Sequence, residues 1–244
     1  MFGGTVVNIT ESSCDFRSRI TSNLESVRLR MANAARRSGR NPEEILLVAV
    51  TKTVGVSEIL CAVESGVTVV GENRVHEVIR KRDRVGDRAA WHMIGHLQRR
   101  RVKDALNVFD YIHSVDSLAL AQEIDKRCAT AGKVMPILFE INVSGEPSKF
   151  GLSPEETLDV VRQASPLEHI RIEGLMTMAP LVSDPEQVRP YFKALLHLSD
   201  AISREHIPNV TMKHLSMGMT NDFEVAIEEG STMVRIGTAI FGGA

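Results

Sequence analysis

Lys52 is the residue whose type and position point most directly to chemistry. It ends the apolar run LLVAVTK at residues 46–52, whereas the other lysines lie in predicted helices, in loops or inside a strand. A primary amine can form a Schiff base with a carbonyl compound, and at a strand end we expect it to lose part of its hydration. The alternative is a structural lysine that extends to the surface or pairs with Glu72.

Two glycine-containing segments near the end of the chain could bind an anion. Ser216 and Gly218 follow one apolar run, and Gly237 and Thr238 follow the next. Backbone N–H groups approach a phosphate closely where no Cβ intervenes, and the two hydroxyl groups add further donors. The alternative is that the glycines only serve turns that need a positive φ.

Arg235 interrupts the last apolar run, at residues 233–236. A buried arginine needs a partner, because an unpaired charge in an apolar interior is costly. It could form a structural ion pair, or it could face the ring nitrogen of a pyridine cofactor. Together with Lys52 and the anion site it meets the needs of pyridoxal 5′-phosphate (PLP), namely an amine for the aldehyde, donors for the phosphate and a group at the ring nitrogen.

These residues fall at the ends of apolar runs in a repeated pattern of strands and helices. Because the runs are short, β-branched and separated by segments of helical spacing, they predict a parallel sheet that is covered by helices. The predicted strands are residues 45–51, 68–71, 90–94, 111–114, 134–143, 170–178, 210–216 and 233–236. In such a sheet the carboxyl ends of the strands meet on one face, so that Lys52, Arg235 and both glycine segments are expected to lie together.

The number of strands predicts a single (β/α)8 TIM barrel with an additional N-terminal helix. That helix is predicted over residues 15–37, where Ile20, Leu24, Val27 and Met31 recur on one face. Residues 1–14 are expected to be a loose lead-in, and residues 15–244 the PLP-binding barrel domain. An open doubly wound sheet is the alternative, since barrel closure cannot be seen in a sequence.

Composition and short motifs argue against several other classes of protein. The net charge is −2 and the pI is about 6.5, and the run of arginines at 99–101 has no interleaved aromatic residues, so we expect no nucleic-acid partner. His92 and His96 have no cysteine or carboxylate-rich partner nearby in sequence, so no metal site is expected. Three widely spaced cysteines and the lack of a leader or of an apolar run of about 20 residues predict a cytoplasmic protein without a membrane segment.

Seven motifs in order resemble the pyridoxal phosphate homeostasis protein family, which is similar to the barrel domain of alanine racemase. They are AVTK at 49–52, GEN at 71–73, WHMIGHLQ at 91–98, SKFG at 148–151, EGLMTM at 173–178, LSMGM at 215–219 and STMVRIGTAIFG at 231–242. The resemblance implies that Lys52 carries PLP as an internal aldimine and that Arg235 faces the ring nitrogen. It also implies that Ser216, Gly237 and Thr238 bind the phosphate. Asn73 and Met217 are expected to lie near the ring or the phosphate.

The resemblance implies a non-catalytic carrier that binds PLP and releases it to PLP-dependent apo-enzymes. We expect it to be a monomer without catalytic residues of its own. Many members have a second lysine two positions after the Schiff-base lysine, and this chain has Val54 there.

The alternative function is an amino-acid racemase, and an aldolase that forms a Schiff base is a more distant one. Racemases need a second acid or base, which a tyrosine of an additional C-terminal domain supplies. This sequence ends at Ala244, just after the last predicted strand, and its tyrosines are Tyr111 and Tyr191, so we expect the carrier.

Overall fold

The fold is a closed barrel of eight parallel strands. The computed structural model describes residues 13–242, so that of the expected lead-in only residues 13 and 14 are described, and these already belong to the first helix. The strands are β1 (Leu46–Val50), β2 (Val69–Glu72), β3 (Ala90–Met93), β4 (Tyr111–Val115), β5 (Met135–Glu140), β6 (Ile170–Met176), β7 (Val210–Ser216) and β8 (Met233–Ile236). Each strand pairs with its neighbour in chain order and β8 pairs with β1, which confirms the predicted TIM barrel.

Helices follow the strands and form the outer layer of the barrel. In the described part of the chain they are α1 (Ser13–Arg37), α2 (Val56–Glu64), α3 (Val75–Val85), α4 (Val102–Leu106), α5 (Leu118–Ala131), α6 (Pro154–Ala164), α7 (Arg189–Arg204), α8 (Phe223–Glu228) and α9 (Thr238–Phe241). The helical spacing of the sequence predicts continuous helices over residues 98–106 and 185–205, but short 3-10 turns precede α4 and α7 there. The four-residue helix α9 was not predicted, because so short a segment has no helical periodicity.

The additional helix α1 packs in the outer layer against α2, α8 and α9, beside the junction between β8 and β1. Its predicted apolar face is buried, and Leu24 at its centre has no exposed surface. The guanidinium of Arg30 pairs with Glu224 of α8 at 2.7 Å. The side chain of Asn23 donates to the carbonyl of Ile240 in α9 at 3.0 Å. Helix α1 is therefore an integral part of the barrel wall.

Replacing Leu24 with Ala should show how much this helix contributes to stability. The free energy of unfolding is expected to fall by about 2–5 kcal/mol, because a fully buried leucine leaves a cavity. Urea unfolding followed by circular dichroism measures the change. Leu29→Ala is the matched control on the same helix, since Leu29 is 61% exposed and should lose less than about 0.5 kcal/mol. Equal losses in the two variants would contradict this packing of α1.

Alternation along the strands divides side chains between the barrel interior and the helix layer. In β8, Val234 and Ile236 pack into the outer core, whereas Met233 packs with the interior cluster. Arg235 therefore points inward, and it is 4% exposed. The interior is apolar beside β1 and β2 but contains polar side chains from β3 to β8, among them His92, Glu140 and Arg235.

Candidate functional site

The loops at the carboxyl ends of the strands enclose a cavity of about 340 Å³. Lys52 lies on the wall from the β1 loop, and Arg235, Gly237 and Thr238 lie on the wall from β8. The structure thus brings together four of the predicted site residues. The remaining lining residues come from the end of β1 and the loops after β6 and β7, and they are Val50, Ala179, Pro180, Leu181, Val182, Pro185, Met219, Thr220, Asn221 and Asp222.

Lys52 lies on a tight turn directly after β1. The turn is closed by a hydrogen bond from the Val54 N–H to the Thr51 carbonyl at 3.0 Å. Thr53 has φ +64°, a left-handed conformation that is rare for a β-branched residue. The side chain of Lys52 is exposed, so the expected loss of hydration at the strand end is wrong. The reason is that the turn projects Lys52 out of the strand and toward the cavity opening.

A buried ion pair between Lys81 and Glu72 stabilises this turn through contacts with Thr51. The ammonium of Lys81 lies 2.6 Å from Oε1 of Glu72 and donates to the Thr51 carbonyl at 2.8 Å. The Thr51 hydroxyl donates to the same Glu72 oxygen at 2.8 Å. Glu72 therefore pairs with Lys81 and not with Lys52, so the predicted alternative of a Lys52–Glu72 pair is wrong. The network holds Thr51, the residue before Lys52, by its carbonyl and by its hydroxyl.

Removing the ammonium in Lys81→Met should destabilise the protein strongly. The carboxylate of Glu72, which has no exposed surface, would lose its cation, and about 3 kcal/mol of the free energy of unfolding should be lost. Chemical denaturation measures this loss. The double variant Glu72→Gln/Lys81→Met should recover most of it, because it also removes the buried charge.

Lys193→Met is the matched control for Lys81→Met. Lys193 is 53% exposed and 3.9 Å from Glu229, so that its loss should cost less than about 1 kcal/mol. A similar small loss in Lys81→Met would contradict the anchoring role of this ion pair.

Arg235 is held in the barrel interior by two neutral acceptors. Its Nη1 donates to Ser216 Oγ at 2.6 Å and its Nη2 donates to the Thr177 carbonyl at 2.8 Å. Burial lowers the pKa of Arg235 to about 10, while Glu140 and Asp222 oppose the shift. The guanidinium remains a cation at neutral pH. Its charge is balanced through the field of these two carboxylates rather than through a direct ion pair.

The other predicted site residues lie outside the cavity wall. Ser216 and Met217 have no exposed surface and lie behind it, with the Ser216 hydroxyl in contact with Arg235. Asn73 is half-buried and lines a neighbouring pocket that also contains His96. The roles expected for Ser216, Met217 and Asn73 therefore remain predictions.

Glycines allow the two loops beside β7 and β8 to approach closely. A Cβ on Gly237 would lie 3.1 Å from Val50 Cβ, so this turn packs directly on β1. Gly218 has φ +93°, and its Cβ would lie 2.5 Å from that of Ala226. The carboxylate of Asp222 accepts the Met219 N–H at 2.5 Å and fixes the β7 loop. The glycines thus have turn roles, and Gly237 also leaves the backbone open to the cavity.

Glu140 and Asp222 are charged residues near the site that the sequence reasoning missed. Glu140 ends β5 and is 3% exposed, and alternation with the interior residue Leu138 shows that it points inward. The predicted strand ran to residue 143, which hid this position at the strand end. Burial raises the pKa of Glu140 to about 7, Arg235 opposes the shift and Asp116 adds to it. The signal available in the sequence was the alternation of the apolar run, which places Glu140 on the same face of the strand as Leu138.

The stability of Glu140→Gln relative to the native protein should depend on pH. The carboxyl binds its proton more tightly in the folded state, with a pKa of about 7, than at its ordinary value of 4.5. Its contribution is fully present below about pH 4.5 and is lost as the pH rises through 7. The glutamine variant should therefore gain about 3 kcal/mol over the native protein between pH 4.5 and 8. Urea titrations at four pH values measure the difference, and a constant difference would contradict the shift.

Other candidate chemistry finds little support within residues 13–242. There, no group of three or more histidine, cysteine, aspartate or glutamate side chains is placed to hold a metal ion. His96 pairs with Asp116 at 3.0 Å and stacks on the ring of Phe150, and the arginines at 99–101 form a short 3-10 turn. No helix in this part of the chain is long and apolar enough to cross a membrane.

Comparison with known proteins identifies the family. The sequence model of the alanine racemase N-terminal domain matches residues 22–244. A pyridoxal phosphate homeostasis protein of Aquifex aeolicus is 43% identical over 220 residues, which cover 90% of this chain and 96% of that protein. The chain belongs to the pyridoxal phosphate homeostasis protein family. The resemblance seen in the sequence motifs is confirmed.

Two solved structures of similar proteins share the fold over nearly their whole length. A protein from Bifidobacterium adolescentis has a TM-score of 0.89 and 36% identity, with 96% of this chain and 98% of that chain covered. PipY of Synechococcus elongatus, solved with PLP bound, has a TM-score of 0.80 and 32% identity, with 91% and 100% covered. Two proteins similar to this chain therefore share its barrel, and one of them, PipY, has been solved with PLP bound.

Proposed function

We propose that this protein binds PLP through a Schiff base on Lys52 and releases the cofactor to apo-enzymes without turnover of its own. One observation carries the proposal. The exposed amine of Lys52, the buried guanidinium of Arg235 and the turn at Gly237 line the same cavity. PLP supplies the reactive aldehyde and the electron-withdrawing ring. The names of the relatives and the PLP in PipY support the same class of ligand.

The residues present fit the three parts of PLP. The Lys52 amine can reach the cavity from its turn, where no hydrogen bond or ion pair of its ammonium is seen in the described residues. Gly237 and Thr238 present backbone N–H groups and a hydroxyl at the same wall, which suits a phosphate. Arg235 supplies donors for the ring nitrogen. We keep Ser216, Met217 and Asn73 as predicted residues near the phosphate or ring.

The chemistry of Arg235 favours a carrier over an enzyme. A guanidinium stays protonated and has no acceptor, so it disfavours a proton on the ring nitrogen. An unprotonated ring is a weaker electron sink, which makes bond cleavage on the bound cofactor harder. The protein thus holds the aldehyde without activating it strongly.

The racemase alternative lacks the tyrosine that serves as the second acid or base. Tyr111 lies inside the barrel, where its hydroxyl donates to Glu173 at 2.9 Å, and burial raises its pKa. Tyr191 lies in the outer helix α7. Neither tyrosine lines the cavity, and these are the two tyrosines of the sequence. The absence of a tyrosine at the cavity therefore favours a carrier. We also propose that this carrier is a monomer and that it acts in the cytoplasm, where its PLP-dependent recipients are expected.

The absorbance spectrum of the purified protein tests the proposal. The native protein should show the visible band of a PLP Schiff base, and Lys52→Ala should lose it, because the amine is the point of attachment. Lys149→Ala is a matched control, since Lys149 lies on another loop and pairs with Glu146 at 2.7 Å, and it should keep the band. A native protein that takes up no added PLP would refute the proposal.

The second part of the test distinguishes a carrier from an enzyme. PLP-loaded protein is mixed with an apo-aminotransferase, and recovery of aminotransferase activity should follow the loss of the visible band. Lys52-dependent conversion of L-alanine to D-alanine would instead support the racemase.

A further inference from the structure

A chain of buried hydrogen bonds runs from Arg235 into the barrel interior. Arg235 Nη1 lies 2.6 Å from Ser216 Oγ, which lies 2.9 Å from His113 Nδ1, and His113 Nε2 lies 2.9 Å from His92 Nδ1. The four side chains come from β8, β7, β4 and β3, and none is more than 5% exposed. The chain therefore connects the cavity wall to the centre of the barrel.

Arginine determines the direction of these hydrogen bonds, because a guanidinium can only donate. Ser216 Oγ accepts from Arg235, which leaves the hydroxyl hydrogen to be donated to Nδ1 of His113. If His113 donated instead, that hydrogen would have no acceptor among the described residues, which is unfavourable for a buried group. His113 must then carry its proton on Nε2 and donate it to His92.

The electrostatic surroundings agree with two neutral histidines. Burial lowers the pKa of His92 to about 3 and lowers that of His113 well below its ordinary value. A neutral imidazole has one donor and one acceptor nitrogen, which is what each link of a one-directional chain requires. Donors and acceptors are thus matched from Arg235 to His92.

We propose that His113 is a positioning residue that acts through Ser216 to hold the Arg235 guanidinium at the cavity wall. The inference rests on the proposed function, in which Arg235 faces the ring nitrogen of PLP. Because the Ser216 hydroxyl donates to His113, it has no hydrogen left for a phosphate. Ser216 therefore acts on Arg235, which faces the PLP ring, and not on the phosphate as the sequence resemblance implied.

The tautomer of His113 tests the chain directly and needs no cofactor. Nitrogen-15 NMR of histidine-labelled native protein, with His113→Gln to assign the signals, should show Nδ1 unprotonated and Nε2 protonated. A proton on Nδ1 would overturn the inference. If the native protein took up no PLP, the proposed function would fail while this measurement would still decide the direction of the chain.

Rates of PLP release test the positioning role. Ser216→Ala and His113→Gln should each release PLP about tenfold faster and shift the absorption maximum, because one hydrogen bond that holds a charged group is lost or weakened. Glutamine can reach the position of Nε2 but not that of Nδ1. The double variant should be no faster than Ser216→Ala, since His113 acts through Ser216. An additive effect of about a hundredfold, or a folded His113→Gln with native release and spectrum, would overturn the proposal.

Two further variants separate positioning from general stability. Tyr111→Phe, on the same strand as His113, removes a buried hydrogen bond of 2.9 Å to Glu173 and should lower stability without changing PLP release or the absorption maximum. His113→Asn keeps an acceptor at the position of Nδ1 and should release PLP at the native rate. If His113→Gln does not fold, tenfold faster release from His113→Asn would overturn the proposal.

Discussion

The pairing of β8 with β1 is the constraint on which the site depends. The register places Arg235 beside Val48 and Ile236 beside Ala49, so that Gly237 lies next to Val50. Because the strands are parallel, both continue into loops on the same face of the barrel. The lysine near the start of the chain and the arginine and glycine turn at its end therefore share one cavity wall. An open sheet with the same strand order would leave them at opposite edges.

The buried cation is the second organising feature. Removing Arg235 from water is costly, and the protein offsets this with two neutral acceptors and with the field of two buried carboxylates. The raised pKa of Glu140 shows that this balance is incomplete, since burial outweighs the attraction of Arg235. Together with the exposed amine of Lys52, the cavity wall is therefore suited to an anionic ligand.

The two basic residues are supported in opposite ways. Lys52 is exposed on a turn, and its position depends on a neighbouring residue, Thr51, which is held by a buried ion pair. Arg235 is buried, and its own side chain is held by hydrogen bonds. The proposed carrier function needs an amine that is free to move and a ring partner with a constant position. An exposed Lys52 and a buried Arg235 on one cavity wall fit these two needs.

The sequence alone determined the alternation of strands and helices, the buried face of α1 and the residues Lys52, Arg235, Gly237 and Thr238 at strand ends. These follow from local periodicity and from the rule that parallel strands end on one face. Only the tertiary structure decided that the sheet closes, that Glu72 binds Lys81, that Lys52 is exposed and that Ser216 contacts Arg235. Barrel closure, partner choice and side-chain burial depend on contacts between residues distant in the chain, and no local pattern records them.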